Sequence, residues 1–366
     1  MHDAARRVID LDGHVFEPDD LWSSRLPARW RDERPRLVRD NRGTTRYMIE
    51  GKLIPSGQGL GAWVPEGIME SACLRPGGTD PRARLADMDV EGIDVAVLYG
   101  TVSLGFHGLG QRDFAAACCR AYNDWLAEYC AADPTRLKGV PALPLQDAGA
   151  ALDEARRTVE QLGFVALTLP CAMGPRALDD PSFEPYFTLA QDLDVPIGFH
   201  AGGARFTYDR FVDAYASQHA LEFPFNVMFA TTALLAGGVL ERFPTLRVAM
   251  LEAGAGWLPY LLDRLDEHFE KRPGEMRCTA RPSEHVAGGR FVVTCEPDES
   301  TLAAVVEHAG AHVVAYASDY PHWDAEYPRS VAAIAARDEL VDDVKRAILG
   351  GNATRVLGAQ RVSSAA

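Results

Sequence analysis

Asp12 and His14 are the first residues along the chain that could do chemistry together. They come directly after a short apolar run, residues 8–11, which we predict to be a strand. Because side chains alternate along a strand, residues two apart point to the same side. A carboxylate and an imidazole placed in this way can form half of a metal site or an acid/base pair. A strand that ends in an Asx turn explains the same pair equally simply, so the interpretation depends on whether the pattern recurs.

The pattern does recur at the ends of later predicted strands. His200 follows one apolar run, Glu252 the next, and Glu296 and Asp319 follow two more. If these strand ends share one rim, two histidines and several carboxylates come together. Burying that many charges without a counter-ion would cost several kcal/mol per group, on the order of the penalty for buried ions. The residues therefore predict a divalent cation at this rim.

The types of ligand narrow the choice of metal. Imidazole and carboxylate suit zinc, manganese or iron(II), and the seven cysteines include no C-x-x-C pair that would indicate a thiolate zinc site. Two histidines with oxygen donors would leave a position for water or substrate, which describes a catalytic site. Water bound to such a metal can lose a proton near neutral pH.

The elements that must position these residues form a regular series. Eight short, continuously apolar runs are nearly all separated by helical patterns, and such runs are typical of parallel strands buried on both faces. We predict an α/β fold, a (β/α)₈ TIM barrel, whose active site lies at the C-terminal ends of the strands. The predicted strands are residues 8–11, 94–99, 139–143, 164–169, 196–200, 247–252, 291–295 and 313–317.

We predict a single domain over residues 1–359. Residues 20–81 are rich in Pro, Gly, Arg and Trp and interrupt the series after the first strand. We interpret them as a lid-like insertion with little regular structure that folds over one end of the barrel. Residues 360–366 are predicted to be a disordered tail.

Composition excludes several classes of function. The formal charge of −15 and a pI near 5.1 argue against binding to nucleic acid or to an anionic membrane surface. The N-terminus lacks the apolar core of a secretory signal, and no run approaches the ~18 apolar residues of a membrane span. We therefore expect a cytoplasmic protein that acts on a small molecule.

At this point the chain resembles a known family over nearly its whole length: the amidohydrolase-related metal-dependent enzymes typified by aminocarboxymuconate-semialdehyde decarboxylase. The resemblance implies a barrel with one divalent metal, Zn²⁺ or Mn²⁺, with a slight preference for Zn²⁺. It also implies that Asp12, His14, His200 and Asp319 are the metal ligands, with a carboxylate in place of the first histidine of an H-x-H motif. The motifs that carry the resemblance are Ile9-Asp10-x-Asp12-Gly13-His14, Pro196-x-x-Phe199-His200, Phe243-Pro244-x-Leu246-x-Val248, Ser318-Asp319-Tyr320-Pro321-His322 and Gly351-Asn352-Ala353-x-Arg355.

One position departs from the family pattern. Many members carry a histidine followed by Gly-Gly after strand six, and that histidine works in proton transfer, whereas this chain has Glu252. Glu252 is then either the acid/base or a metal ligand, directly or through water. His219 or His322 could supply the missing imidazole.

Four residues near the proposed ligands are candidates for substrate binding: Arg205, His219, His322 and Trp323. Arg205 could hold a substrate carboxylate through a bidentate pair, and Trp323 could form an aromatic wall. A solvated arginine and a tryptophan packed between loops are the alternatives. No G-x-S-x-G motif is present, so covalent catalysis by a serine is a poor fit.

The resemblance favours non-oxidative decarboxylation of a small carboxylated aromatic or unsaturated substrate, with Asp319 or Glu252 protonating carbon as carbon dioxide leaves. The alternative is hydrolysis of an amide, lactone, ester or C–C bond by metal-bound water, with Asp319 as base. A minor alternative is a non-catalytic barrel that binds a ligand. The apolar residues 225–240 would fit a homodimer interface or a helix buried against the barrel.

Overall fold

The structure is a computed structural model that describes residues 7–39, 41, 45–53, 75–201 and 215–362. Arg205 lies outside the described residues, as do residues 54–74 of the predicted insertion and residues 363–366 of the predicted tail. No helix in the described part of the chain is long and apolar enough to cross a membrane.

Eight parallel strands form the centre of the molecule, and each overlaps one of the predicted apolar runs. They belong to two parallel sheets, one of three strands and one of five. This confirms the predicted (β/α)₈ barrel. The strands of the described residues are β1 (Ile9–Val15), β2 (Arg36–Arg39), β3 (Thr45–Ile49), β4 (Lys52–Leu53), β5 (Val95–Gly100), β6 (Leu137–Gly139), β7 (Leu167–Pro170), β8 (Ile197–His200), β9 (Val248–Met250), β10 (Phe291–Cys295) and β11 (Val314–Tyr316).

The two sheets meet at two seams that close the barrel. The first sheet has the order β1-β5-β6 and the second β11-β10-β9-β8-β7. At the β6–β7 seam, the backbone N–H of Val165 donates to Gly139 O at 3.2 Å. At the β11–β1 seam, Asp319 N–H donates to Asp12 O at 3.0 Å, and His14 N–H donates to Tyr320 O at 2.7 Å. The polar residues at the end of β1 therefore lie directly beside those that follow β11.

Helices surround the barrel, and their ends follow local sequence signals. Asp147 accepts a hydrogen bond from Ala150 N–H at the start of one helix, and Gly163 ends it in the left-handed conformation at φ 73°. The helices are Asp19–Arg25, Pro81–Glu91, Arg112–Cys130, Ala148–Leu162, Glu184–Asp192, Tyr215–Leu235, Val239–Arg242, Trp257–Lys271, Pro282–Ala287, Leu302–Ala309, Ser330–Ala335, Asp342–Arg346, Asn352–Leu357 and Ala359–Val362. Short 3₁₀ segments cover Ala28–Trp30, Pro76–Gly78, Ser103–Gly108, Pro181–Phe183 and Ala311–Val313, and Ala347–Gly351 is a π-helical turn.

The insertion after β1 has more regular structure than we predicted. It contains a helix and a three-stranded antiparallel sheet of β2, β3 and β4. The sequence does not show the usual alternation of apolar and polar residues in this sheet, because an arginine takes an inward position. In β2, half-buried Arg36 and Val38 alternate with exposed Leu37 and Arg39. Glu50 at the turn after β3 accepts backbone hydrogen bonds from the segment that follows β5, so the sheet lies towards the C-terminal end of the barrel. Its action as a lid stays a prediction.

Two smaller predictions are also wrong. The third barrel strand ends at Gly139 rather than at residue 143, because Pro141 and Pro144 have no N–H for the ladder. Residues 360–362 are not disordered: they belong to the helix Ala359–Val362, where Val362 is buried and the Arg361 guanidinium donates to Leu193 O. The homodimer predicted from the apolar helix stays a prediction.

Candidate metal centre and active site

Four side chains from both sheets converge at the C-terminal end of the barrel. Asp12 and His14 lie on β1, His200 ends β8, and Asp319 follows β11. Asp12 Oδ1 lies 3.1 Å from His200 Nε2 and 3.4 Å from His14 Nε2. His14 Nε2 in turn lies 3.3 Å from Asp319 Oδ1. The structure thus brings together the four residues that the resemblance names as ligands.

The atoms that face one another in this cluster fit a metal ion. Asp12 Oδ1, His14 Nε2 and His200 Nε2 are buried and make no hydrogen bond in the structure. They come close enough together to ligate a single ion. Two ligand atoms that each lie about 2.0–2.2 Å from one cation are separated by about 3.0–3.5 Å, which is the spacing found here. The donor set therefore suits a divalent cation better than it suits a network of hydrogen bonds.

The far sides of the imidazole rings are held by the protein. His14 Nδ1 lies 3.1 Å from the carbonyl oxygen of Gly100, and His200 Nδ1 lies 3.1 Å from Glu252 Oε2. Such partners fix the orientation of a ligating imidazole and leave its other nitrogen for the metal. The Tyr99 ring packs edge-on against His200, with centroids 4.6 Å apart, and forms the floor beneath it.

The electrostatics of the cluster show how strongly its groups interact. Burial alone would lower the pKa of His200, but the Asp12 and Glu252 carboxylates raise it to about 9. The pKa of His14 is raised well above its ordinary value because Asp12 and Asp319 outweigh its burial. Burial opposes ionisation of Asp12, yet His200 and His14 hold the pKa of that carboxyl below its usual range. The carboxylates around both imidazoles thus favour positive charge at this cluster, which is the charge that a bound cation would supply.

Glu252 and His322 form a second layer that adjoins the first. His14, Glu252, Asp319 and His322 also come close enough to share one ion. His322 Nδ1 lies 2.9 Å from Asp319 Oδ1 and 3.9 Å from Glu252 Oε1. Its ring stacks on His14 with centroids 4.0 Å apart. Burial and the nearby charge of His14 lower the pKa of His322 to about 3, so this imidazole is neutral.

Glu252 and Asp319 also share an unusual backbone conformation. Their φ angles are 58° and 51°, and only two other non-glycine residues in the described part of the chain have positive φ. This conformation costs a non-glycine residue about 1 kcal/mol or more and is concentrated at functional sites. Both side chains keep some exposure, 13% for Glu252 and 15% for Asp319. They are therefore the acidic groups of the cluster that a substrate can reach.

The four candidates for substrate binding differ in how accessible the structure makes them to a ligand. His219 and Trp323 lie together at the rim, with ring centroids 6.1 Å apart. His322 lies deeper than we predicted, since it is buried against His14 and Asp319 and has little access to a ligand. Arg205 lies outside the described residues, so its predicted role is untested.

Sequence reasoning missed the residues that support the cluster from behind. Thr101 Oγ1 lies 3.0 Å from His322 Nε2 and donates to Val15 O, also at 3.0 Å. Arg84 and Asp10 lie on the other side of β1 and are buried. Asp10 belongs to the Ile9-Asp10-x-Asp12-Gly13-His14 motif, but its only signal in the sequence is an acidic residue inside an apolar strand. Arg84 gave no signal, because it sits in a helical stretch of ordinary charged residues.

Comparison with known proteins points to decarboxylases. A 2-amino-3-carboxymuconate-6-semialdehyde decarboxylase from Dictyostelium discoideum is 27% identical over 281 residues, which cover 76% of this chain and 77% of that protein. A gamma-resorcylate decarboxylase from Rhodococcus jostii is 28% identical over 282 residues, covering 70% of this chain and 85% of that protein. These relatives are enzymes that remove carboxyl groups from aromatic or unsaturated acids.

The fold has close counterparts among solved structures. A 5-carboxyvanillate decarboxylase from Novosphingobium aromaticivorans, complexed with manganese and 4-hydroxy-3-methoxy-5-nitrobenzoic acid, superposes with a TM-score of 0.73. It is 22% identical, and the match covers 98% of this chain and 97% of that one. The family model described as Amidohydrolase matches residues 9–359. The chain therefore belongs to the amidohydrolase family of enzymes.

Proposed function

We propose that this protein is a metal-dependent, non-oxidative decarboxylase of a small carboxylated aromatic or unsaturated substrate. The observation that carries the proposal is the group of three buried, unsatisfied ligand atoms on Asp12, His14 and His200 beside two reachable carboxyl groups, Glu252 and Asp319. The decarboxylase relatives support the choice of reaction within the family.

Asp12, His14, His200 and Asp319 would hold the metal. A divalent cation bound there would neutralise the substrate carboxylate and a neighbouring oxygen, which positions the bond to be broken. Two imidazoles and two carboxylates suit either Zn²⁺ or Mn²⁺. We favour Mn²⁺ over the Zn²⁺ that the sequence slightly favoured, since the carboxyvanillate decarboxylase of the same fold was solved with manganese.

Glu252 is the residue that we assign to proton transfer. The C–C bond to the carboxylate breaks, its electron pair stays on the substrate carbon, and that carbon takes a proton from the Glu252 carboxyl as carbon dioxide leaves. One oxygen of Glu252 lies 3.1 Å from His200 Nδ1, and the other faces His322, so the carboxyl group is held at the edge of the cluster. The proton lost in each turnover is regained from solvent, to which Glu252 is partly exposed.

In this proposal Asp319 is a metal ligand and does not transfer the proton. Its Oδ1 lies between His14 Nε2 and His322 Nδ1, so the carboxylate is oriented from two sides. Trp323 and His219 at the rim would contact the apolar part of the substrate. An aromatic ring packed there excludes water from the reacting bond.

The test is a turnover assay with aromatic carboxylates, beginning with 2,6-dihydroxybenzoate and 5-carboxyvanillate, on protein loaded with Mn²⁺ or Zn²⁺. We expect carbon dioxide and the decarboxylated ring in equal amounts, with one deuterium in D₂O on the ring carbon that had carried the carboxyl group. His200→Ala, loaded in the same way, is the negative control. Products that contain the elements of water and form without carbon dioxide, from amide, lactone or ester substrates, would instead identify a hydrolase.

A further inference from the structure

We propose that Arg84, acting through Asp10, is a positioning residue that holds β1 and the segment after β11 in register and so sets the spacing of Asp12, His14 and Asp319. This inference rests on the proposed function, because it concerns the same metal centre. Neither residue touches the cluster of ligand atoms. Their effect would be on where those atoms lie.

Arg84 joins the two sides of the β11–β1 seam directly. It lies on the helix Pro81–Glu91 and is only 1% exposed. Its Nη1 donates to His14 O at 2.8 Å and to Tyr320 O at 3.4 Å, one acceptor on each side of the seam. The guanidinium also lies over the Tyr320 ring, 4.5 Å from the centroid. The planar guanidinium can make these hydrogen bonds while it stacks on the ring, whereas a lysine ammonium has no flat face to stack.

Asp10 makes the matching connection from β1. Its carboxylate accepts from Ser318 N–H at 2.9 Å and from Ser318 Oγ at 2.6 Å. It also accepts from Asp12 N–H at 3.3 Å and lies 3.9 Å from Arg84 Nη2. Asp10 therefore contacts the residue before Asp319 and the backbone of Asp12, while balancing the buried arginine. A buried ion pair is weak evidence for stability, because the cost of desolvation offsets much of its attraction.

Gly13 completes the arrangement from the strand. A Cβ at this position would overlap both the Arg84 guanidinium and the Asp10 carboxylate. Glycine is thus needed for close approach of the ion pair and not for a positive φ. Each named position of the Asp10-x-Asp12-Gly13-His14 motif then has a role. Asp12 and His14 face the metal site, Asp10 pairs with Arg84, and Gly13 leaves room for that pair.

The competing explanation is that the ion pair only stabilises the fold, and a matched control separates the two. Arg157 on the helix Ala148–Leu162 is half-buried and also forms a fork of hydrogen bonds. It donates to Glu154 at 2.6 Å and to Asp124 at 2.8 Å. Neither of these partners touches the metal cluster. Arg157→Lys therefore loses a comparable fork of hydrogen bonds, but none of these bonds connects to the metal cluster.

The experiment compares Arg84→Lys with Arg157→Lys in the full chain. The dissociation constants for Mn²⁺ and Co²⁺ are measured by chelator competition, together with the visible absorption spectrum of the Co²⁺ form and the unfolding midpoint without metal. We expect Arg84→Lys to weaken metal binding by about 10–100-fold, as loss of residues that support ligands does, and to alter the Co²⁺ spectrum. Arg157→Lys should stay within about twofold of the wild type, well below that range.

Equal metal affinity and an unchanged Co²⁺ spectrum in Arg84→Lys would overturn the inference. If Arg84→Lys does not fold, Ser318→Ala decides. It removes the hydroxyl that donates to Asp10 and accepts from Tyr320 N–H, and it should still weaken metal binding while the control does not. A wild type that binds metal but decarboxylates nothing would remove the proposed reaction and leave the positioning role standing. A wild type that binds no divalent cation would overturn both.

Discussion

The two seams of the barrel close it by different physical means. At the β6–β7 seam the ring of buried Phe164 packs where a side chain at Gly139 would stand, and a single backbone hydrogen bond links Val165 to Gly139. The contact is apolar and costs nothing in desolvated charge. A barrel of this fold could in principle have apolar contacts of this kind at both seams.

The β11–β1 seam instead concentrates buried charge. Asp10, Asp12 and His14 lie on one side and Asp319 on the other, with Arg84 behind them. Removing that many ionisable groups from water is unfavourable unless each has a partner. The difference shows that stability alone does not require a polar seam in this fold. The charged seam contains the residues that we propose as the metal centre, and it carries a desolvation cost that the apolar seam avoids.

Asp319→Asn should produce the largest effect at the charged seam. The variant keeps the backbone bond from residue 319 to Asp12 O but loses the carboxylate oxygen between His14 and His322. We expect kcat to fall by a factor on the order of 10³, since both metal binding and charge in the site are affected. The unfolding midpoint without metal should stay within a few degrees of wild type, on the scale of about 1 kcal/mol. Thermal unfolding followed by circular dichroism, with turnover on the same samples, measures both. A variant that keeps its activity would contradict the assignment.

Glu252→Gln should have the next largest effect and distinguishes two roles. Glutamine keeps the shape but cannot deliver a proton, so we expect kcat to fall by about 10²-fold or more. If Glu252 acts in proton transfer, metal content measured by elemental analysis stays at the wild-type value. Loss of the metal together with activity would show that Glu252 is a ligand instead.

Much of this site could be predicted because a closed barrel of parallel strands brings together residues that are far apart in the sequence. The end of each buried parallel strand opens onto the same rim, so Asp12, His14, His200 and Asp319 could be grouped from their positions after apolar runs. No packing detail was needed for that step. The same rule placed Glu252 beside them.

What could not be predicted depends on contacts between distant segments. The burial of Arg84 requires space at Gly13 and a ring at Tyr320, neither of which is visible in its own helix. His322 was a candidate for substrate binding or for the missing imidazole, and its sequence context did not indicate that its ring stacks on His14. The insertion was underestimated since β2 exposes Leu37 and half-buries Arg36, which obscures the usual alternation.

A matched pair of glycine substitutions compares the two seams directly. Gly13→Ala forces a methyl group against Arg84 and Asp10, and Gly139→Ala forces one against Phe164. Overpacking of this kind should lower the free energy of unfolding by about 1–3 kcal/mol in each variant. Only Gly13→Ala should also weaken metal binding, by roughly tenfold. Denaturant unfolding and chelator competition give the two quantities. Equal losses of metal affinity at both seams would remove the distinction between them.

Thr101→Val should have the smallest effect, and it tests how far the polar support extends from the charged seam. Thr101 follows β5, the neighbour of β1, and its hydroxyl contacts Val15 O and His322 Nε2. Valine keeps the shape and loses both contacts, so we expect kcat to fall by about 3–10-fold, the equivalent of one hydrogen bond. Thr158→Val is the control, because its buried hydroxyl donates only to Ala155 O within its own helix. That variant should lose a similar amount of stability and keep kcat unchanged. If the two variants turn over substrate alike, the orientation of His322 does not depend on Thr101, and the polar support ends at the seam itself.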